Sequence, residues 1–203
     1  MGQVVLSKCI VTTEVDWVPV VLANDLEQLA IQQGTLQEEQ SKERRLNDRA
    51  INKDPEASLK HTIFSKRSEY AVHQYFDRVP RVTLPGEFHD WPDVGQANVR
   101  FIGDPADGLM IQDRDQGELP MILTTCKDLS FKDRTIYLIG WGLTDQLRRV
   151  FYLINQAREL KNWGKMGNDF ESHEQFIYPR SMLTPMKWLS KEMMNTPYTN
   201  KKK

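Results

Sequence analysis

Hydrophobic positions follow two rhythms along this chain, a helical one in the first half and an alternating one after residue 96. Residues 3–12 are rich in Val and Ile and read as a β-strand. Trp17 to Leu22 reads as an apolar connector. Asn24 is an N-cap residue type, and from it a helix runs through Leu26, Leu29, Ala30 and Ile31. Gly34 marks a break, and Gln37 to Arg49 is almost wholly polar. A second helix is predicted over roughly 57–77, opened by Pro55 and Ser58. Its Leu59, Ile63, Phe64, Ala71, Val72, Tyr75 and Phe76 recur with helical period. Pro80, Pro85-Gly86 and Pro92 punctuate an irregular stretch beyond it.

The alternation then takes over. Ala97, Val99 and Phe101 alternate with Asn98, Arg100 and Ile102, as on a strand. Asp104 to Gly108 is a turn, Leu109 to Gln112 the returning strand, and Gln116-Gly117 the next turn. Met121–Thr125 and Thr135–Trp141 are short apolar strands of the kind covered on both faces of a sheet. Thr144 can cap a third helix over about 145–162, whose apolar stripe is core and which ends at Gly164 and Gly167. Phe176–Pro179 adds an edge strand, and Ser181 to Met194 a last short helix. Helices, then strands, then helices predict an α/β fold, a central mixed β-sheet flanked by helices. The expected organisation is a single domain over 1–195, with an N-terminal strand and polar helix in 1–55, a core in 56–190 and a disordered basic tail at 196–203.

Composition narrows the function classes. The net charge is −1 with 27% charged residues, so any nucleic-acid surface has to be a local patch. Arg44, Arg45 and Arg49 share one helix side and read either as a solvated face or as phosphate contacts, and Lys66 and Arg67 are further candidates for a nucleic-acid backbone. Two distant cysteines, Cys9 and Cys126, argue against structural zinc and for a reducing compartment. The longest apolar runs are too short for a membrane span, so the expectation is a soluble, cytoplasmic protein with no membrane partner. No Walker loop, dinucleotide fingerprint, Gly-x-Ser-x-Gly or His-Glu-x-x-His is present, which removes sequence support for P-loop hydrolysis, serine hydrolysis and zinc proteolysis.

The chemistry-bearing residues gather around Pro92 to Arg100. Asp93 sits where the chain enters a strand, and Asn98 and Arg100, two apart, share one face of it. Glu69 lies on the preceding helix and approaches Asp93 if that helix packs on the sheet. Carboxylates of this kind suit a hard cation such as Mg²⁺, which can activate water and stabilise phosphoryl charge. His73, one turn after Glu69, reads mainly as a packing or solvent-facing residue and alternatively as one that faces the same place. His89-Asp90 beside Trp91 reads mainly as an exposed loop. Asp113-Arg114-Asp115 reads as a hairpin turn or as a further carboxylate near a metal. Trp141 reads as core, and Lys201–Lys203 as a solubilising tail.

In order and spacing these residues resemble the PD-(D/E)XK nuclease superfamily, and within it a group of small phage-encoded members. The resemblance rests on Ser68-Glu69-Tyr70-Ala71, Asp93-Val94-Gly95 with Val99-Arg100, and Leu109-Met110-Ile111 with Asp113 or Asp115. Gly140-Trp141 and Pro179-Arg180-Ser181-Met182-Leu183 extend it, over about residues 40–190. It implies a restriction-endonuclease-like core with an N-terminal helical extension, and Mg²⁺ or Mn²⁺ held by Glu69 and Asp93. It puts Asn98 in the acidic place and Arg100 in the lysine place of the catalytic set. Two departures follow: Asn98 brings no charge, and Arg100 cannot act as a general base. The expected function is a phage-type metal-dependent nuclease or nuclease-like DNA-binding protein, in the host cytoplasm if phage-encoded. A catalytically inactive nucleic-acid-binding, phage-assembly or host-interaction protein on the same fold is the alternative, the last of these working through the polar helix at 24–53. The oligomeric state is left open.

Overall fold

A computed structural model describes residues 14–48, 54–80, 82, 92–103, 108–112, 115, 119–147, 149, 175–178 and 180–195. The predicted strand at 3–12, most of the predicted helix at 145–162, His89 to Trp91 and the C-terminal tail lie outside them. The elements are β1 (Val18–Val21), α1 (Asn24–Asp48), α2 (Pro55–Tyr75), β2 (Asn98–Ile102), β3 (Leu109–Gln112), β4 (Pro120–Thr125), β5 (Thr135–Leu143), β6 (Gln175–Tyr178) and α3 (Lys191–Asn195). Residues 144–147 are helical after β5. None of the described helices is long and apolar enough to cross a membrane.

Four strands form one mixed sheet in the order β1-β5-β4-β2, with β2 parallel to β4 and the other neighbours antiparallel. The fold is α/β, with a mixed sheet and helices. The alternation in β2 places Val99 and Phe101 in one core with Phe64, Ala71 and Val72 of α2. The opposite face builds a second core from Met121, Leu123 and Ile139, covered by Leu109 and Ile111 of the β3–β6 pair. β4 is buried along its whole length, as expected for a strand covered on both faces. A register shift between Leu123 and Thr124 lets β5 put Ile136 and Leu138 before it, and Trp141 beyond it, into the same core.

Three local expectations change. Trp17 to Leu22 contains a strand rather than a connector. β1 pairs only with β5, and at a sheet edge Pro19 leaves no ladder bond unmade. Gly34 does not break α1, which continues to Asp48. It lies where the two helices touch, and a Cβ there would stand 2.7 Å from the Ile63 Cα. Ser181 to Met194 is two 3₁₀ turns, a bridge between Trp141 and Thr184, and the short α3, because Pro185 cannot continue a helix.

The polar part of α1 is held by polar contacts with α2. Thr62 Oγ1 donates to the buried Glu38 at 3.1 Å. Arg67, fully buried, donates from Nε to Glu27 Oε2 at 2.8 Å and from Nη2 to the Asp133 carbonyl at 2.6 Å. Its guanidinium also lies 4.6 Å from the Phe64 ring centroid. Removing either partner of such a buried pair costs about 3–5 kcal/mol, so this contact fixes the rotation of α2. Asp54 completes the helix start by accepting from the Glu56 N–H, with Pro55 in the first turn.

Helix propensity alone favours Gly34→Ala by about 1 kcal/mol. The close approach to Ile63 predicts the opposite sign, a net loss of about 1–2 kcal/mol in chemical denaturation as the helices are forced apart.

Candidate functional site

Asp93 and Glu69 are brought together by a turn and a helix. Val94 and Ala97 exchange two backbone hydrogen bonds, at 3.0 and 2.8 Å, around Gly95 and Gln96. Gly95 takes φ +57°, and a Cβ on it would meet Arg78 Nη1 at 2.5 Å and the Met194 carbonyl at 2.6 Å. Both the conformation and the space therefore require glycine. The reversal returns the chain past Asp93, whose Oδ2 accepts from the Val99 N–H at 2.7 Å. The carboxylate is thereby tied to the start of β2.

On α2, the burial of Ser68, Tyr70, Ala71 and Val72 leaves Glu69 half-buried at the margin, with 16% of its side chain exposed. Lys66 Nζ donates to both of its oxygens, at 3.0 and 2.7 Å. Burial raises the Glu69 pKa from 4.5 to about 7, and the negative charge of Asp93 adds to the rise against the opposing charges of Lys66 and Arg100. Burial likewise holds Asp93 above its ordinary value, opposed by the Val99 N–H and by Arg100 and Lys66, with Asp115 adding to the rise. These mutual influences place Lys66, Glu69, Asp93, Arg100 and Asp115 within one electrostatic neighbourhood.

Arg100 points away from the helix-covered core. Its Nη2 donates to Asp115 Oδ1 at 2.5 Å, with Asp115 5% exposed and Arg100 28% exposed. Of the two hairpin carboxylates, Asp115 is thus the one on Arg100, and Asp113 lies outside the described residues. Asn98 is half-buried on β2, on the same strand face as Arg100 and beside Met121 of β4. His73 is buried and hydrogen-bonds the Asp93 backbone. Its pKa is lowered to about 4, chiefly by burial and further by the charges of Arg78 and Lys66.

The basic candidates separate. Lys66 turns to the carboxylates instead of to solvent. Arg67, read from sequence as a nucleic-acid contact, is enclosed between α1 and α2 and presents no surface. Arg44 and Arg45 lie on the last turns of α1, and Arg49 lies outside the described residues. The Lys66–Glu69 pairing was available from its i,i+3 spacing. The fate of Arg67 depends on Glu27, 40 residues away, and left no local signal.

Among the described residues no group of three or more His, Cys, Asp or Glu side chains is arranged to hold a metal ion. The donors that converge are two carboxylates. No family model, curated protein or solved structure matches the chain.

The Glu69 shift carries a testable sign. Below pH 4.5 Glu69 is protonated in both the folded and unfolded states. As pH rises toward about 7 the unfolded chain loses its proton first, and folding stability falls. His73 acts the other way: its contribution is present above pH 6.5 and is lost as pH falls toward 4. Glu69→Gln removes only the first effect. The variant is expected to gain stability over the parent between pH 4.5 and pH 8, by at most about 3 kcal/mol, in urea unfolding at both values. A pH-independent difference would contradict the buried-carboxylate account.

Proposed function

We propose that this chain is a nuclease-like protein that binds DNA and hydrolyses its phosphodiester bonds with a divalent cation, Mg²⁺ or Mn²⁺. The observation that carries the reading is that Glu69 on α2 and Asp93 at the start of β2 lie within electrostatic reach of one another, burial raising both carboxyls, with the Arg100 charge acting on both. The resemblance to the PD-(D/E)XK nucleases supports it, and with it a restriction-endonuclease-like core.

The donor set fits a hard cation. Glu69 and Asp93 offer carboxylate oxygens whose mutual repulsion a dication relieves. Mg²⁺ is ordinarily held by one or two protein carboxylates and keeps several waters, so a third protein ligand is not required. When bound there, such an ion would supply an activated water and charge stabilisation on the phosphoryl oxygens.

The chain's own residues divide the remaining work. Asp93 is positioned by the Val99 N–H on its Oδ2, and its backbone by His73. Arg100 keeps one side toward solvent while Asp115 orients its guanidinium. A guanidinium so held can take two phosphoryl oxygens at once and meet charge that develops on them. It stays protonated, so it accepts no proton from the attacking water. Asn98, on the Arg100 face, supplies a neutral amide where the family's pattern has an acid.

A second reading draws on the same geometry. Glu69 is already neutralised by Lys66, and Asp115 by Arg100. A non-catalytic nucleic-acid-binding or assembly module on this fold would keep such pairs permanently closed.

Incubating the protein with single- and double-stranded DNA and with RNA, with Mg²⁺, with Mn²⁺ and with EDTA, separates the two. The nuclease reading expects metal-dependent cleavage of DNA that falls about 100-fold or more in Asp93→Ala. Cleavage that survives Asp93→Ala would sink the site assignment. DNA binding that is indifferent to metal and weakens steeply with salt, without turnover, would favour the second reading.

A further inference from the structure

Lys66 and Glu69 are three apart on α2, and on an exposed helix such a pair is an ordinary, weakly stabilising contact. This pair differs in three respects. Both side chains are only 16% exposed. Both Glu69 oxygens take the same ammonium. The Lys66 charge reaches past Glu69 to Asp93 and to His73, so it serves the site and not one partner.

Charge counting gives the consequence. Glu69 and Asp93 when ionised bring two negative charges, and Lys66 brings one positive charge. Arg100 is engaged by Asp115, which cancels it. One negative charge is left over in a place with little water. A dication in place of the ammonium would close the count. Lysine is suited to leave, because its charge sits at the end of a flexible four-carbon stem with no fixed fork to the carboxylate.

Resting on the divalent-cation reading of this site, we propose that Lys66 is a displaceable counter-ion, which occupies Glu69, within reach of the Asp93 charge, until a divalent cation takes its place. Cation binding then competes with an internal salt bridge.

The test is calorimetric titration of Mg²⁺ and of Mn²⁺ into the parent chain, Lys66→Met, Lys66→Arg and Asp93→Asn at pH 8, with circular dichroism to establish folding. Lys66→Gln replaces Lys66→Met should the latter fail to fold. Removing the competitor is expected to tighten cation binding about fivefold in Lys66→Met. Lys66→Arg, which retains a cation, is expected to bind no more tightly than the parent. Asp93→Asn is expected to lose binding. If the parent binds the cation and Lys66→Met binds it equally or more weakly, the counter-ion role is overturned while the cation site stands. If neither binds, the cation site itself is overturned and the counter-ion role with it.

Discussion

Glu69 and Asp93 share a space that hydrates neither of them well, and this electrostatic conflict organises the surrounding structure. Each carboxyl is pushed up by burial, and the charge of Asp93 adds to the rise at Glu69. The fold meets the conflict with donors from three directions: the Val99 N–H on Asp93, the Lys66 ammonium on Glu69, and the nearby Arg100 with its own acidic partner. Each donor needs a different part of the chain in place. The Gly95 turn sets Asp93 against β2, and the rotation of α2 sets Glu69 and Lys66 at the margin of the core. That rotation is fixed from the far side of the helix by Arg67, whose contacts to Glu27 and the Asp133 carbonyl let α2 turn neither way without stranding a buried charge.

Much of this was legible in the sequence where a short-range period decides it. The alternation of Asn98 and Arg100 with Val99 and Phe101 fixes which side chains leave the core, and β2 follows it residue for residue. The apolar spacing of Ile63, Phe64, Ala71 and Val72 fixes the buried face of α2 and so leaves Glu69 at its edge. What was not legible depends on partners far along the chain. Lys66 and Arg67 are neighbours of like charge, and nothing local distinguishes them. One enters the acidic cluster and the other the helix interface, because only the second meets Glu27. Gly34 looks like a helix breaker in isolation and is a close-packing residue once Ile63 is opposite it. β1 hid behind Pro19, whose missing N–H is tolerated only because the strand lies at a sheet edge.

Two carboxyls held where water is scarce lower folding stability as they ionise. On the proposed reading, the surplus negative charge of these two groups is what a divalent cation would meet. On the proposed nuclease reading, Asn98 and Arg100 would set the chemistry apart from that of a lysine-containing site. With a guanidinium permanently charged, proton removal from a nucleophile could not fall to Arg100, and on that reading its contribution would be confined to holding and stabilising phosphoryl oxygens.

The most direct measurement is anomalous diffraction from a crystal of the protein soaked in Mn²⁺. The account predicts a peak between the Glu69 and Asp93 carboxylates, with the Lys66 ammonium withdrawn from Glu69. A Mn²⁺ peak elsewhere, or an undisturbed Lys66–Glu69 pair with no peak beside it, would contradict it.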